Sequence, residues 1–260
     1  MTQLTQLTLM LLLSFAVTLP VSAQGDSLTI SLPRETSRTV TDFRPQQLVV
    51  PAALIAIGTW GLADDSPIDI LGNKARDNMN KDKNKISADE YLQYVPTAAH
   101  LLMGFVPGTK PKHNFRDRVL ASATSNLMMA AVTNMVKYTV RERRPDSGKR
   151  NSFFSGHTAT AFTGAELTRI EYGWVYGGAA YAVASTTAFM RVYNKRHWVG
   201  DVLAGAGAGI LCADAGYWML PVWKRLFRID KKKESTPVLV AAPFYMQDDK
   251  AAGLSCSLVL

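Results

Sequence analysis

Apolar residues follow helical spacing along most of the chain, and the stretches between them are rich in glycine, proline and polar side chains. Apolar runs of this kind predict α-helices, whereas the intervening residue types are typical of turns. Six helices joined by short connections predict an all-α bundle. The predicted helices cover residues 47–63, 89–106, 117–138, 157–171, 174–190 and 198–220.

Local signals indicate where several of these helices begin and end. Ser87-Ala88-Asp89-Glu90 has the spacing of a capping box, in which two side chains satisfy the free amides of a first helical turn. Pro107-Gly108 is expected to end the second helix, and Arg144-Pro145 comes just after the third. Gly205 and Gly209 suit close packing of the sixth helix against a neighbour.

The N-terminal segment differs from the rest of the chain. Residues 1–23 carry no charged side chain, contain a leucine-rich stretch and end in Val21-Ser22-Ala23. Small residues near such an end suit signal-peptidase cleavage, so the segment predicts a signal peptide removed before Gln24. A retained signal anchor is the alternative, because the usual Lys or Arg is missing from its start. A polar lead segment follows over residues 24–46.

The C-terminal residues also change character. The helical bundle is predicted to form one domain over residues 47–228, followed by a basic linker and a tail over 229–260. The last residues alternate between apolar and other side chains, which predicts a β-hairpin-like tail packed on the bundle. Its apolar positions are Leu254, Cys256, Leu258 and Leu260.

The composition favours anionic partners, and the positions of the basic residues argue against a calcium site. Lys and Arg number 29 against 21 Asp and Glu, and the net charge of +8 favours phosphate groups, acidic lipids, polysaccharide or nucleic acid. Cys212 and Cys256 are predicted to be free thiols. The stretch 72–90 is predicted to be a solvated loop that does not bind calcium, because Met79, Lys81 and Lys83 stand where calcium needs acidic oxygens.

His197 and Asp201 form the first candidate pair. If a helix begins near His197, Asp201 lies one turn further on the same face, where its carboxylate can accept the imidazole Nδ1 proton. The Nε2 lone pair is then available to act as a nucleophile or a base. A surface ion pair is the alternative interpretation of this spacing.

A second histidine lies at the start of the fourth predicted helix, in Ser155-Gly156-His157. Free backbone amides and the positive end of a helix dipole favour an anion at such a place. Gly156 allows close approach of the backbone, and the Ser155 hydroxyl adds a donor. The alternative is a simple helix cap with His157 exposed.

Basic residues complete a candidate phosphate site. Lys137 and Arg144 are seven residues apart, so both project to one face if the helix continues through them. With Arg191 they supply three cations, and three cations around a tetrahedral anion are typical of a phosphate site. These charges would repel a divalent metal, so no metal site is predicted.

The three segments together resemble the type 2 phosphatidic acid phosphatase (PAP2) superfamily. Residues 137–145 fit K-x6-R-P, residues 155–157 fit the S-G-H core of P-S-G-H, and residues 191–201 fit R-x5-H-x3-D. The resemblance covers residues 47–220, with their motifs in the same order. Two positions depart from it: Phe154 replaces the usual proline, and Met190 replaces a serine whose hydroxyl contacts phosphate.

The resemblance implies a mechanism without a cofactor. His197 attacks phosphorus, Asp201 orients it, and His157 protonates the leaving group. The oxygens of the phosphate are held by Lys137, Arg144, Ser155, Gly156 and Arg191.

The resemblance also implies a phosphatase acting on a lipid phosphate of the cell envelope. Lipid A, at its 1- or 4′-phosphate, is the leading substrate hypothesis. Undecaprenyl diphosphate, phosphatidylglycerol phosphate and phosphatidic acid are alternatives, as is a soluble non-specific acid phosphatase. A vanadium haloperoxidase is disfavoured by the small exported chain. A protein that only binds polyanions would not need two histidines, three cations and an acid at these spacings, so nucleic acid is not the expected partner.

The expected location follows from two opposing features. A mean hydropathy of +0.00 is low for a chain with six membrane spans. The stretch 216–233 nevertheless has aromatic residues followed by lysines and arginines, as at a membrane surface. We therefore expect an exported, periplasm-facing, membrane-associated enzyme, with a multi-pass inner-membrane protein as the alternative. The sequence does not indicate an oligomeric state.

Overall fold

A computed structural model describes residues 43–63, 65–68, 70, 72, 74 and 87–227, together with the backbone of 238–246 and 251–259. The predicted signal peptide over 1–23 lies outside the described residues. So do residues 24–42 of the polar lead, most of the 72–90 loop and residues 229–237 of the basic linker.

The described residues from Pro45 to Leu226 are largely helical, which confirms the predicted all-α class of the bundle. Each of the six predicted helical regions contains a helix. The α-helices are α1 (Val49–Trp60), α2 (Asp89–Leu92), α3 (Val95–Leu102), α4 (Phe115–Val140), α5 (Gly156–Tyr172), α6 (Trp174–Tyr193), α7 (Val199–Trp218) and α8 (Leu220–Leu226). Short 3-10 turns span Pro45–Leu48 and Met103–Phe105.

Residues from Pro221 onward form a second compact unit. Within it, the backbone of β1 (Val238–Met246) pairs antiparallel with β2 (Ala251–Val259). The side chains of both strands lie outside the described residues, so the packing of a hairpin-like tail on the bundle stays a prediction.

The second predicted helix, over 89–106, is interrupted. The helix α2 ends at Leu92, and α3 begins at Val95 with Pro96 in its first turn, where a missing N–H costs nothing. The predicted capping box is wrong: Ala88 is the N-cap and makes no side-chain cap hydrogen bond. Asp89 is instead fully buried and pairs with a residue of α6, as described below.

The third predicted helix, over 117–138, ends before Arg144, as predicted. The helix α4 stops at Val140, and Arg141 follows in the left-handed region with φ of 54°. The helix therefore does not continue through Lys137 and Arg144, and the condition for placing both on one helical face is not met. Arg144 lies in the loop after this turn, where its N–H bonds to the Lys149 carbonyl at 2.9 Å.

Small residues allow the helices to approach closely around α5. This helix packs against α3, α4, α6 and α7, and α1 covers another side of α7. A Cβ at Gly209 would lie 2.4 Å from the Ala159 carbonyl oxygen, and one at Gly205 would lie 2.7 Å from the Ser155 carbonyl oxygen. The predicted close packing at both glycines is confirmed, and Gly205 brings the start of α5 against α7.

Replacing Gly209 with alanine should destabilise the protein by about 1–3 kcal/mol, because the helix backbones would have to separate. Gly178→Ala is the matched control, since nothing lies within 4 Å of a Cβ there. It should stabilise α6 by about 0.5–1 kcal/mol through helix propensity. Denaturant unfolding of both variants checks this, and equal effects would contradict the proposed contact.

Candidate active site

His197 and Asp201 meet at the start of α7. His197 lies two residues before the helix, and its Nδ1 is 3.2 Å from Asp201 Oδ2. Asp201 Oδ2 also accepts a hydrogen bond from the Trp198 backbone N–H at 3.0 Å, so the carboxylate caps the helix. Because a carboxylate faces Nδ1, this nitrogen carries the proton of the neutral ring. Nε2 is then left with its lone pair.

Ser152 is a neighbour of this pair that the sequence motifs do not include. Its hydroxyl donates to Asp201 Oδ2 at 2.5 Å and lies 3.5 Å from His197 Nδ1. Its own N–H donates to the Glu142 carbonyl at 3.0 Å. Its position three residues before Ser155 is the one signal that could have drawn attention to it.

The start of α5 lies directly against the pair. The Ser155 N–H donates to the backbone carbonyl of Asp201 at 3.0 Å. The Ser155 hydroxyl accepts from the Thr158 hydroxyl at 3.0 Å and from the Thr158 N–H at 3.5 Å, so it does cap the helix. His157 is half-buried, not exposed as the helix-cap alternative required. A Cβ on Gly156 would lie 3.9 Å from Lys137 Nζ.

Positive charges concentrate around the same point. Burial lowers the pKa of Lys137, and the charges of Arg144 and Arg191 lower it further, while Asp201 opposes them. Like charges held this close repel one another unless an anion lies between them. Although Arg144 is outside α4, the structure therefore brings it together with Lys137 and Arg191.

Arg191 is held by a carboxylate that the sequence analysis did not assign to the site. Its Nη1 donates to Asp89 Oδ2 at 2.6 Å, and both side chains are almost completely buried. Asn194 Nδ2 lies 3.5 Å from Asp89 Oδ1. The next residue, Glu90, pairs with Arg196 at 2.9 Å. The acids of the supposed capping box therefore bind two arginines near the site.

Both histidines of the site are neutral at neutral pH. Burial lowers the pKa of His197 to about 4, against the opposing effect of Asp201. Burial also lowers the pKa of His157, to about 4. The charge of Arg191 acts in the same direction, and the charge of Asp89 partly offsets this lowering. Burial raises the pKa of Asp201, but hydrogen bonds from the side chains of His197, Glu142 and Ser152 outweigh it and keep the value below normal. The site therefore combines an ionised acid, a neutral imidazole oriented by it, and several cations.

The two departures from the family pattern are both buried. Phe154 packs in an apolar cluster with Phe153, Met129 and small residues of α5 and α7, and so anchors the segment before Ser155. Met190 is also buried, next to Arg191. Neither substitution removes a titratable group from the site.

Residues 118–225 match the family model of the PAP2 superfamily. The chain is similar to this superfamily over that segment. The matched segment holds every residue of the candidate site named from the sequence, whereas Asp89 precedes it.

Lipid A 1-phosphatase of Porphyromonas gingivalis is a curated protein similar to this chain. It is 41% identical over 159 residues, which cover 57% of this chain and 35% of the relative. The chain thus spans about a third of the length of this relative.

Two crystal structures are similar to the chain. LpxE of Aquifex aeolicus is 19% identical with a TM-score of 0.44, over 56% of this chain and 94% of that one. A transmembrane PAP2-type phosphatidylglycerolphosphate phosphatase from Bacillus subtilis is 17% identical with a TM-score of 0.39, over 71% of this chain and 99% of that one.

Proposed function

We propose that this protein is a phosphatase that removes phosphate from an envelope lipid phosphate through a phosphohistidine intermediate. The observation that carries the proposal is the buried His197–Asp201 pair, 3.2 Å apart, beside Lys137, Arg144 and Arg191. An oriented neutral imidazole is a nucleophile, and adjacent cations stabilise the charge of a transferring phosphoryl group.

In the first step, His197 Nε2 forms a bond to phosphorus as the bond to the lipid oxygen breaks. Asp201 accepts the Nδ1–H hydrogen bond and stabilises the positive charge that develops on the ring. Lys137, Arg144 and Arg191, with the donors of Ser155 and Gly156, hold the phosphoryl oxygens. His157 gives its proton to the leaving oxygen.

In the second step, His157 takes a proton from water, which attacks phosphorus and frees His197 and inorganic phosphate. For the first step His157 must be protonated, although its pKa in the free protein is about 4. A bound phosphate dianion favours the protonated ring and offsets the charge of Arg191. Substrate binding therefore prepares His157 as the acid.

Lipid A is the leading substrate hypothesis, at its 1- or 4′-phosphate. The support is the 41% identity to a lipid A 1-phosphatase over 159 residues, together with the match of residues 118–225 to the PAP2 superfamily. Because the chain spans only a third of that relative, the lipid substrate is a proposal for this protein.

We also propose that the enzyme is membrane-associated and faces the periplasm. By length and composition, Phe115–Val140 and Val199–Leu226 could each cross a membrane. The apolar window of the second is 78% buried within the protein, as in a core helix, whereas that of the first is only 33% buried. On α4, Leu127, Met135 and Tyr138 are 72%, 70% and 82% exposed and lie on one face. An exposed apolar stripe of this kind suits contact with lipid.

The test is phosphate release by the purified protein from lipid A and from a soluble aryl phosphate, with EDTA present. The His197→Ala variant measures the background, and analysis of the lipid product identifies whether the 1- or the 4′-phosphate is lost. Release from lipid A that depends on His197 and exceeds release from the aryl ester supports the proposal.

Two results would count against it. Equal or faster release from the aryl ester would instead indicate a non-specific acid phosphatase. Absence of His197-dependent release from both compounds would remove the phosphatase assignment.

A further inference from the structure

Ser152 is buried at the centre of the site, yet no motif includes it. It lies in the segment between the loop after α4 and the start of α5, and it is fully inaccessible to solvent. Its backbone N–H is occupied by the Glu142 carbonyl at 3.0 Å. Its side chain is therefore presented to Asp201 from a fixed backbone position.

Three donors converge on one oxygen of Asp201. Ser152 Oγ lies at 2.5 Å, the Trp198 nitrogen at 3.0 Å and His197 Nδ1 at 3.2 Å from Asp201 Oδ2. Bonds to an ionised acceptor are the strong class of hydrogen bonds. The donor of Trp198 belongs to the backbone, so Ser152, together with Glu142, supplies the side-chain contacts besides His197 that orient the carboxylate.

We propose that Ser152 is a positioning residue, which holds the Asp201 carboxylate where it accepts the His197 Nδ1 proton. The proposal rests on the proposed phosphatase function, because it gives Ser152 a role in preparing the nucleophile. Without the hydroxyl, Asp201 Oδ2 loses its closest donor and the carboxylate can rotate about its terminal bond. Nε2 is then aimed less accurately at phosphorus.

The same change alters proton affinity in a definite direction. Asp201 raises the pKa of His197 through the hydrogen bond that it accepts from Nδ1. A carboxylate that is no longer held in place stabilises the protonated ring less, so in Ser152→Ala the His197 ring loses its proton at a lower pH. The acid limb of the kcat/KM profile, which requires the neutral ring in the free enzyme, moves to lower pH with it.

The experiment compares Ser152→Ala and Ser152→Thr with the full-length wild type. We expect kcat to fall roughly 10- to 100-fold in the alanine variant, as for a misplaced catalytic group, with KM nearly unchanged. Ser152→Thr keeps the hydroxyl and should restore most of the rate. Ser125→Ala is the matched control, because Ser125 is equally buried but bonds to the Ala121 carbonyl within α4. It should retain the wild-type profile.

NMR titration of the labelled histidine rings gives a readout that does not need turnover. A shift of the His197 titration to lower pH in Ser152→Ala, reversed in Ser152→Thr, supports the positioning role. An unchanged titration together with a uniform loss of rate at every pH would overturn it. If the wild type releases no phosphate, the phosphatase function fails, and the ring titration still decides whether Ser152 positions the pair.

Discussion

Replacing His197 with glutamine should reduce phosphate release on the order of 10⁴- to 10⁶-fold, as expected when the nucleophile of a coupled catalytic unit is removed. The glutamine amide can still donate to Asp201 but has no ring nitrogen that can form a bond to phosphorus. The measurement is single-turnover phosphate release, with trapping of acid-labile phosphoprotein in the wild type and its absence in the variant.

His113→Gln is the matched control for this prediction. In the wild type, His113 Nδ1 lies 2.9 Å from Glu171 Oε2, so His113 is another histidine paired with a carboxylate. Glu171 lies near the end of α5, whereas the site residue His157 lies near its beginning. At a rise of 1.5 Å per residue, these two positions are about 20 Å apart along the helix. The control variant should therefore retain turnover. Substantial release by His197→Gln would show that another group attacks phosphorus.

Replacing Asp89 with alanine should reduce both stability and activity. The change leaves the Arg191 guanidinium buried without its carboxylate partner. Breaking a buried pair in this way typically costs about 3–5 kcal/mol. Arg191 would also lose the contact that fixes its Nη1, so we expect weaker phosphate binding in the protein that remains folded. Thermal or denaturant unfolding and inhibition by inorganic phosphate measure the two effects.

The neighbouring residue provides a control for the effect of burial. Glu90 pairs with Arg196 at a similar distance, 2.9 Å, but its side chain is 46% exposed and that of its partner 21%. Exposed pairs contribute about 0.2–1 kcal/mol, so Glu90→Ala should be nearly neutral. A loss as large as that of Asp89→Ala would contradict the assignment of the effect to the buried charge.

Much of the local organisation was predictable from the sequence. The all-α class and the six helical regions follow from apolar spacing, and the predicted range 157–171 differs from the observed α5 by one residue at each end. The four-residue separation of His197 and Asp201 was enough to predict their contact, although the helix begins only at Val199. Such predictions succeed because they depend on geometry within one or two turns of the same chain segment.

The incorrect capping-box prediction involves a residue whose partner lies far away in sequence. Residues 87–90 have the spacing of a capping box, but the Glu90 side chain accepts a hydrogen bond from Arg196, 106 positions away. The carboxylate that a local cap would need is therefore bound to a tertiary partner. The conditional placement of Lys137 and Arg144 on one helical face is decided by the left-handed Arg141, which ends α4 before Arg144, so that the loop brings Arg144 to Lys137.

The sequence by itself determined the helical pattern, the excess of positive charge and the spaced motifs that contain the candidate catalytic residues. Only the tertiary structure decided that Ser152 supports His197 and that Asp89 supports Arg191. Packing also buries both site histidines, which lowers their pKa to about 4. The physical reason is that hydrogen bonds and desolvation at the site depend on close contact between α5, α6 and α7, which small residues such as Gly205 permit. The spacing of residues within one segment does not indicate which other helices that segment will contact.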